Sequence, residues 1–262
     1  MSSAERRVAI DAARAAGLLL RDALADPRQV SFKGSPTNLV TEMDARAERL
    51  VADRLRAAFP DDAMLGEEGG TRPGTSGRRW IVDPLDGTTN YAHGVPIFGV
   101  SIALEVGGRV VLGVVYDPNR DELFTAERGA GAWLGERRLK VSSTPTLNES
   151  LLASGFPYNV RETADNNARE FVAFTMRGQG VRRMGSAVIY LAYVAAGRLD
   201  GCWELRLGAW DVAAGALLIE EAGGRVTALD GGPLDLDAPA VVASNGRIHE
   251  EMLGVLKETR KR

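Results

Sequence analysis

Hydrophobic residues first change their period along this chain between Phe59 and Met64, and that change limits what the chain can fold into. Up to Phe59 they recur at three- and four-residue steps. Val8, Ala12, Ala15, Leu18 and Leu19 mark one face of a helix predicted over residues 4–25, closed by Asp26-Pro27. Residues 30–36 read as a loop. Leu50, Val51, Leu55 and Ala58 mark a second helix over residues 42–59, and Thr41 with Asp44 matches a capping box at its start.

Beyond Met64 the pattern becomes that of strands. Trp80-Ile81-Val82 is a short apolar run that stops at Asp83-Pro84. Val100, Ile102, Leu104 and Val106 alternate with smaller or polar residues. Residues 109–116 and 122–126 read as further strands, and the glycine-rich stretch 129–135 as a tight hairpin. Repeated hairpins predict an antiparallel or mixed sheet. The second half alternates strands (150–153, 199–205, 225–229, 240–243) with helices (165–176, 186–196, 211–222, 246–257). Gly223-Gly224 ends the apolar helix at 211–222 as a C-cap. No internal repeat or linker divides the chain, so one layered unit of helices on sheets is expected.

Composition removes several classes of function. A formal net charge of -3 argues against a general nucleic-acid binder, which carries a basic excess. The single cysteine, Cys202, permits no internal disulfide and no Cys-rich zinc site, and is read as structural. Two histidines, His93 and His249, leave little room for His-based metal ligation. No window reaches the ~20 apolar residues of a membrane span. The first residues lack the apolar run and cleavage site of a signal peptide, so a cytoplasmic location is expected. The basic tail, residues 257–262, reads as a solvated end.

Acidic residues recur beside turn signals in three places: Gly66-Glu67-Glu68-Gly69-Gly70, Asp83-Pro84-Leu85-Asp86-Gly87-Thr88-Thr89-Asn90, and Trp210-Asp211. Each has a bland reading. Glu67 and Glu68 form a solvated turn, Asp83 and Asp86 are turn formers, Asp211 is an N-cap, and Asp44 only completes the capping box. The second run is more demanding. Asp83 follows directly on an apolar strand, and Asp86 stands three residues later, before a glycine. Carboxylates with a backbone carbonyl, here that of Leu85, form the hard oxygen set that Mg²⁺ prefers. Gly87-Thr88-Thr89 opens a helix or a nest of N–H groups suited to phosphate. Together these are the parts of metal-assisted phosphate ester hydrolysis.

The run from Trp80 to Asn90 resembles the D-P-[ILV]-D-G-T-T-N signature of the inositol monophosphatase family, a Mg²⁺-dependent, lithium-sensitive phosphatase superfamily. Trp210-Asp211-Val212-Ala213-Ala214-Gly215, continuing to Glu220-Glu221-Ala222-Gly223-Gly224, resembles its second signature. Gly66-Glu67-Glu68 is similar to its G-E-E element. The stretch from Lys33 to Asp44 resembles its K-x-x-x-D-L-V-T-x-x-D segment, with Asn38 where the family often has Asp. Four motifs in the family's order cover nearly the whole chain. The resemblance implies an α+β fold, a mixed layered α-β-α-β-α sandwich of the sugar phosphatase type. It implies one phosphatase domain over residues 1–262. The half 1–145 carries the metal and phosphate motifs with the larger sheet, and 146–262 is the substrate side with the Trp-Asp motif.

The family's roles carry over residue by residue. Glu67, Asp83 and the Leu85 carbonyl are expected to hold a first Mg²⁺. Asp83, Asp86 and Asp211 are expected to hold a second, and a third, weaker ion sits near Glu67 through waters. Asp44 and Thr88 are expected to orient and deprotonate the attacking water. Gly87, Thr88 and Thr89 present N–H groups to the phosphate. Gly185, Ser186 and Ala187 resemble the family's G-[ST]-A element near the substrate ring. Glu204 matches a glutamate that binds substrate hydroxyls; its bland reading is an exposed acid at a strand end. Arg182 and Arg183 reach a phosphate or a neighbouring subunit, or are surface charges. His93 reads as structural. The implied reaction is hydrolysis of inositol 1-monophosphate, or another small phosphorylated polyol or sugar, by a homodimer. Histidinol phosphate, fructose 1,6-bisphosphate and 3′-phosphoadenosine 5′-phosphate are alternative substrates. A regulatory or binding protein on the same fold is the alternative of another class.

Overall fold

Helix α1 (Ser3–Asp22) buries the small-residue stripe Ala9, Ala12, Ala13, Ala16 and Leu20. Alanines there let the helix lie close to what it covers. A computed structural model describes residues 3–26, 30–32 and 39–260 of the chain. The predicted helix stop at Pro27, the resembling stretch 33–38 with Asn38, and the tail residues 261–262 lie outside the described residues. Strands β1 (Val30–Phe32) and β2 (Leu39–Thr41) pair antiparallel with each other. Helix α2 (Glu42–Ala58) starts at the predicted capping box: Thr41 Oγ1 accepts from Met43 N–H, and Asp44 Oδ2 accepts from Thr41 N–H at 2.8 Å.

The strand-patterned region then builds one sheet. Its members are β3 (Ala63–Gly66), β4 (Gly70–Arg72), β5 (Arg78–Asp86), β6 (Gly99–Val106), β7 (Arg109–Asp117), β8 (Glu122–Glu127), β9 (Gly131–Leu134) and β10 (Arg137–Arg138), with the short helix α3 (Thr88–Ala92) between β5 and β6. The order is β10-β9-β8-β7-β6-β5-β3-β4. β3 and β5 run parallel, and all the other adjacent pairs of the sheet run antiparallel. The expected tight hairpin at 129–135 is instead a strand, β9, bounded by two turns. Gly129 and Gly135 carry positive φ of 79° and 58° on either side of it, so the glycines make two turns, not one tip.

The second half supplies β11 (Leu151–Ser154), α4 (Ala168–Thr175), β12 (Gly180–Arg182), α5 (Ala187–Ala195), β13 (Gly201–Glu204), α6 (Ala209–Glu221), β14 (Arg225–Thr227), β15 (Val241–Ser244) and α7 (His249–Arg260). Its sheet has the order β12-β11-β13-β15-β14 and is mixed. α1 and α2 pack on one face of the eight-stranded sheet, while α5 and α6 lie between the two sheets. α4 and α7 cover the far face of the five-stranded sheet. The result is the mixed α-β-α-β-α layering. Because α6 meets sheet on both sides, it is apolar all round, with Val212, Ala213, Ala214, Leu217, Leu218 and Ile219 buried. It ends as predicted: Gly223 takes φ 86° and donates to Glu220 O, while Gly224 N–H donates to Ile219 O. Among the described residues no helix is long and apolar enough to cross a membrane.

α6 and β7 touch backbone to backbone. A Cβ on Gly113 of β7 would lie 2.8 Å from the Ala214 carbonyl oxygen of α6. Gly113→Val is therefore expected to destabilise the chain by about 1–3 kcal/mol, the usual cost of overpacking. Chemical denaturation checks this, and an unchanged midpoint would mean that the layers are not packed this closely.

Candidate active site

Three elements end at one point. β5 ends in Asp83-Pro84-Leu85-Asp86, α3 begins just after it, and α6 brings Asp211 from the second half. Asp83, Asp86 and Asp211 each place one carboxylate oxygen within 4.8 Å of the others. Glu67, in the turn between β3 and β4, lines the same cavity of about 510 Å³ with Leu85, Gly87 and Thr88.

Local structure fixes each group. The pairing of β5 with β6 shifts register between Asp83 and Asp86, which lets the strand carry two acids to the same end. Asp83 Oδ1 accepts from Leu85 N–H at 3.0 Å, whereas its buried Oδ2 has no hydrogen-bond partner. Asp86 Oδ2 accepts from Ser186 Oγ–H, and from Val188 N–H at 2.8 Å. The bland reading of Asp211 as an N-cap gives way: α6 starts two residues earlier, at Ala209, and Asp211 Oδ2 accepts from the N-cap Gly208 N–H at 2.6 Å. Gly87 takes φ 102°, and a Cβ there would lie 3.0 Å from Ile97 O and 3.2 Å from Gly185 O. Only glycine fits that junction.

Asp44 does more than cap α2. Thr88 Oγ1 donates to Asp44 Oδ1 at 2.8 Å, and the Leu85 carbonyl oxygen lies 3.1 Å from the same hydroxyl. Asp44 Oδ2 is held by Thr41 Oγ1–H at 2.7 Å. The hydroxyl and carboxylate thus form a fixed, buried pair beside the acids.

A second cleft, of about 680 Å³, adjoins the first and shares Asp86, Gly87, Tyr158 and Asp211 with it. Thr89, Gly185, Ser186, Ala187 and Glu204 line it. Glu204 is buried at the end of β13, so its reading as an exposed strand-end acid is corrected. Gly155 packs against it: a Cβ there would lie 2.6 Å from Glu204 Oε2 and displace the carboxylate. Arg182 and Arg183 are both exposed, and the Arg183 guanidinium sits 5.0 Å from the Phe156 ring centre. Cys202 is buried, with its thiol pushed up by burial. The structure therefore brings the acids, Leu85, Gly87, Thr88, Thr89, Gly185, Ser186, Ala187 and Glu204 to two adjoining cavities, with Asp44 bonded to Thr88; Arg183 and His93 also line the second cleft, whereas Arg182 lines neither.

Sequence reasoning missed three residues. Tyr158 lines both cavities from the turn after β11. Asn90 donates to Ile97 O at 2.9 Å and Met184 O at 2.6 Å, tying α3 to the Gly185 loop. Glu48 accepts from the backbone on either side of the Glu68–Gly69 peptide. Glu48 was legible in part, because it stands one turn after Asp44 on the same face of α2.

The electrostatics follow from crowding in a shielded place. Burial first, then the charges of Glu67, Asp86 and Asp211, push the Asp83 carboxyl well above the ordinary range. Burial, then Asp86 and Glu67, do the same to Asp211. Burial raises Asp86 to about 6, against hydrogen bonds from Ser186 and Val188 that favour its charged form. Glu204 is raised by burial and by Asp86 and Asp211. An all-oxygen donor set, mutually repelling acids and an orphaned buried carboxylate oxygen fit a hard divalent cation.

Acids gathered against a strand end, beside a hydroxyl–carboxylate pair and an open cleft, define a phosphoryl hydrolase of the layered α-β-α-β-α class. The comparisons agree. A sequence model described as the Inositol monophosphatase family matches residues 2–261, so the chain belongs to that family and is a phosphoric monoester hydrolase. It is 47% identical to the inositol-1-monophosphatase of Rhizobium meliloti, over 87% of this chain and 86% of that one. It is 44% identical to Nus factor SuhB of Pseudomonas aeruginosa, over 95% of this chain and 94% of that one. The structure of an inositol monophosphatase from Anabaena (Nostoc) superposes with a TM-score of 0.87 at 44% identity, covering 97% of this chain and 95% of that one.

Raised carboxyl pKa values have a definite sign in stability. The folded, cation-free chain keeps protons that the unfolded chain releases near pH 4. Its stability therefore falls as pH rises from there through about 6, the Asp86 value, and beyond. A divalent cation that takes the place of those protons should raise the melting temperature more at pH 7.5 than at pH 5.5. Equal shifts at both pH values, by thermal scanning, would contradict the assignment of these acids to the cation.

Proposed function

We propose that the chain is a Mg²⁺-dependent phosphatase of small phosphorylated polyols, with inositol 1-monophosphate as its leading substrate. The observation that carries this reading is the meeting of Asp83, Asp86 and Asp211 with the Thr88–Asp44 pair, beside a cleft with a buried acid at Glu204. Glu67, Asp83 and the Leu85 carbonyl would hold one Mg²⁺; Asp83, Asp86 and Asp211 would hold a second, and a third would sit near Glu67. When bound, such ions make water acidic and stabilise charge on the attacking and leaving oxygens.

The chain's own groups supply the rest. Thr88 Oγ1 already donates to Asp44, so it accepts a proton from the attacking water while passing its own to Asp44 Oδ1. The water oxygen bonds to phosphorus, the ester P–O bond breaks, and the departing alkoxide takes a proton from solvent. Helix geometry leaves the first N–H groups of α3, from Gly87 to Thr89, without intrahelical acceptors, and they would meet phosphate oxygens. On the substrate side, Gly185, Ser186 and Ala187 bring backbone close to the ring, and Glu204 accepts from hydroxyls. That side belongs to residues 146–262 and the cation side mainly to residues 1–145, within one phosphatase domain.

The family resemblance supports inhibition by Li⁺ at the second cation position and a homodimer; the net charge of -3 supports a reading without nucleic acid as partner, and the chain's lack of a long apolar window supports a cytoplasmic one without a membrane. Histidinol phosphate, fructose 1,6-bisphosphate and 3′-phosphoadenosine 5′-phosphate remain the rival substrates, since they demand the same cation site. Relatives named Nus factor favour a second reading, a binding or regulatory role on the same fold.

Phosphate release from a panel of esters, with and without Mg²⁺, separates these readings. Turnover of inositol 1-phosphate above all rivals, lost without Mg²⁺ and lowered by Li⁺, is the expected result. Equal turnover of histidinol phosphate would remove the ranking, and no turnover of any ester would favour the binding role. Asp83→Asn should abolish turnover and leave the far-ultraviolet circular dichroism of the fold unchanged. Full activity in that variant would overturn the cation assignment.

A further inference from the structure

α2 presents two buried acids one helical turn apart, Asp44 and Glu48. Asp44 serves Thr88. Glu48 has no part in the reaction described above, yet both of its oxygens are engaged. Oε2 accepts from Glu68 N–H at 2.8 Å and Oε1 from Gly69 N–H at 2.6 Å. It therefore caps the turn that joins β3 to β4, the turn from which Glu67 faces the cavity. The fit is close on both sides: a Cβ on Gly66 would lie 2.6 Å from Oε2, and one on Gly69 would lie 2.5 Å from Oε1. Across the turn, Glu67 N–H donates to Val82 O at 3.3 Å, on the strand that leads into Asp83. Glu67 is thus clamped between a buried carboxylate on α2 and the backbone of β5.

We propose that Glu48 is a positioning residue for cation binding: by holding the Glu67–Gly69 turn it sets how well Glu67 and Asp83 share one ion. This rests on the reading that those two acids hold the cation. Bonds from backbone N–H to an ionised acceptor are the strong kind. Groups that orient a ligand from behind typically change metal affinity 10- to 100-fold when removed. The turn needs this support because it carries a charge that the neighbouring acids repel, and because Gly69 and Gly70 give it little stiffness of its own. The same helix sets the Thr88 side through Asp44 and the Glu67 side through Glu48, so α2 fixes the distance between proton acceptor and cation ligand.

Glu48→Gln keeps the shape but leaves one amide N–H₂ facing a backbone N–H. Calorimetric titration of Mg²⁺ alone into the metal-free chain should show affinity weakened by about tenfold. The Mg²⁺ concentration for half-maximal turnover should rise by the same factor, while the substrate KM at saturating Mg²⁺ stays at the wild-type value. Gly69→Ala, which pushes on Oε1 without touching the charge, should do the same and serves if the first variant fails to fold. Wild-type Mg²⁺ affinity in the variants, or a raised substrate KM with Mg²⁺ affinity intact, would overturn the proposal. Asp83→Asn in the same titration separates the two levels. If it loses Mg²⁺ binding while the Glu48 and Gly69 variants keep it, only the Glu48 proposal fails; if it too binds normally, the cation site itself is misread.

Discussion

The repulsion among Asp83, Asp86 and Asp211 is the constraint on which the rest depends. Their nearest oxygens lie within 4.8 Å. At an effective dielectric constant near 20, each ionised pair at that distance costs about 3 kcal/mol before burial is counted. A fold that gathers such groups without a partner gives up stability at neutral pH. The chain is organised to hold them there nonetheless. β5 is buried along most of its length, Ser186 and Val188 pin Asp86, and Gly208 pins Asp211. Rigid presentation of like charges makes sense when a cation neutralises them, and the ion then supplies the positive field that a phosphate ester meets. The net charge of -3 counts the acids and not the ion, so it says little about small anionic substrates.

Layering delivers the precision this requires. β5 and α6 are neighbours in space but far apart in sequence, and α6 lies against the sheet with glycine at the contact. That close seat brings Asp211 to the end of β5. α5 sits beside α6, and its N-cap Ser186 bonds Asp86. The second sheet ends one strand at Glu204, so the second cleft forms beside the acids, where the proposed function places the substrate. Buried asparagine strengthens that wall: Asn167 donates to Ser154 Oγ at 2.7 Å and accepts from Trp203 Nε1–H at 2.6 Å, next to Glu204.

Much of this was legible in the residues, and what was not has physical reasons. The capping box at Thr41 and Asp44 and the apolar helix ended by Gly223 appear where local chemistry predicts, because cap and turn preferences act over a few residues. Asp83, Asp86, Glu67 and Asp211 stand in short motifs whose acids have no structural need to cluster, which is why they stood out. The stretch 129–135 misled because glycines mark turns without saying whether one or two are made. The start of α6 was placed two residues too late, at Asp211 and not Ala209, since a glycine N-cap, Gly208, carries no side-chain signal. Glu48, Tyr158 and Asn90 act through contacts 20 or more residues away along the chain or through shared cavity walls. Such partners cannot be read from spacing, and β1, β2, β4, β10 and β12 were missed because two or three residues are too few for a period.

Crystals of the chain grown with Mn²⁺ and measured at the manganese absorption edge give the most direct measurement of the central claim. The account predicts anomalous peaks among Asp83, Asp86 and Asp211 and between Asp83 and Glu67, with Asp83 Oδ2 now bonded to the ion. Anomalous density elsewhere in the molecule, with these acids unliganded and Asp83 Oδ2 still without a partner, would contradict it.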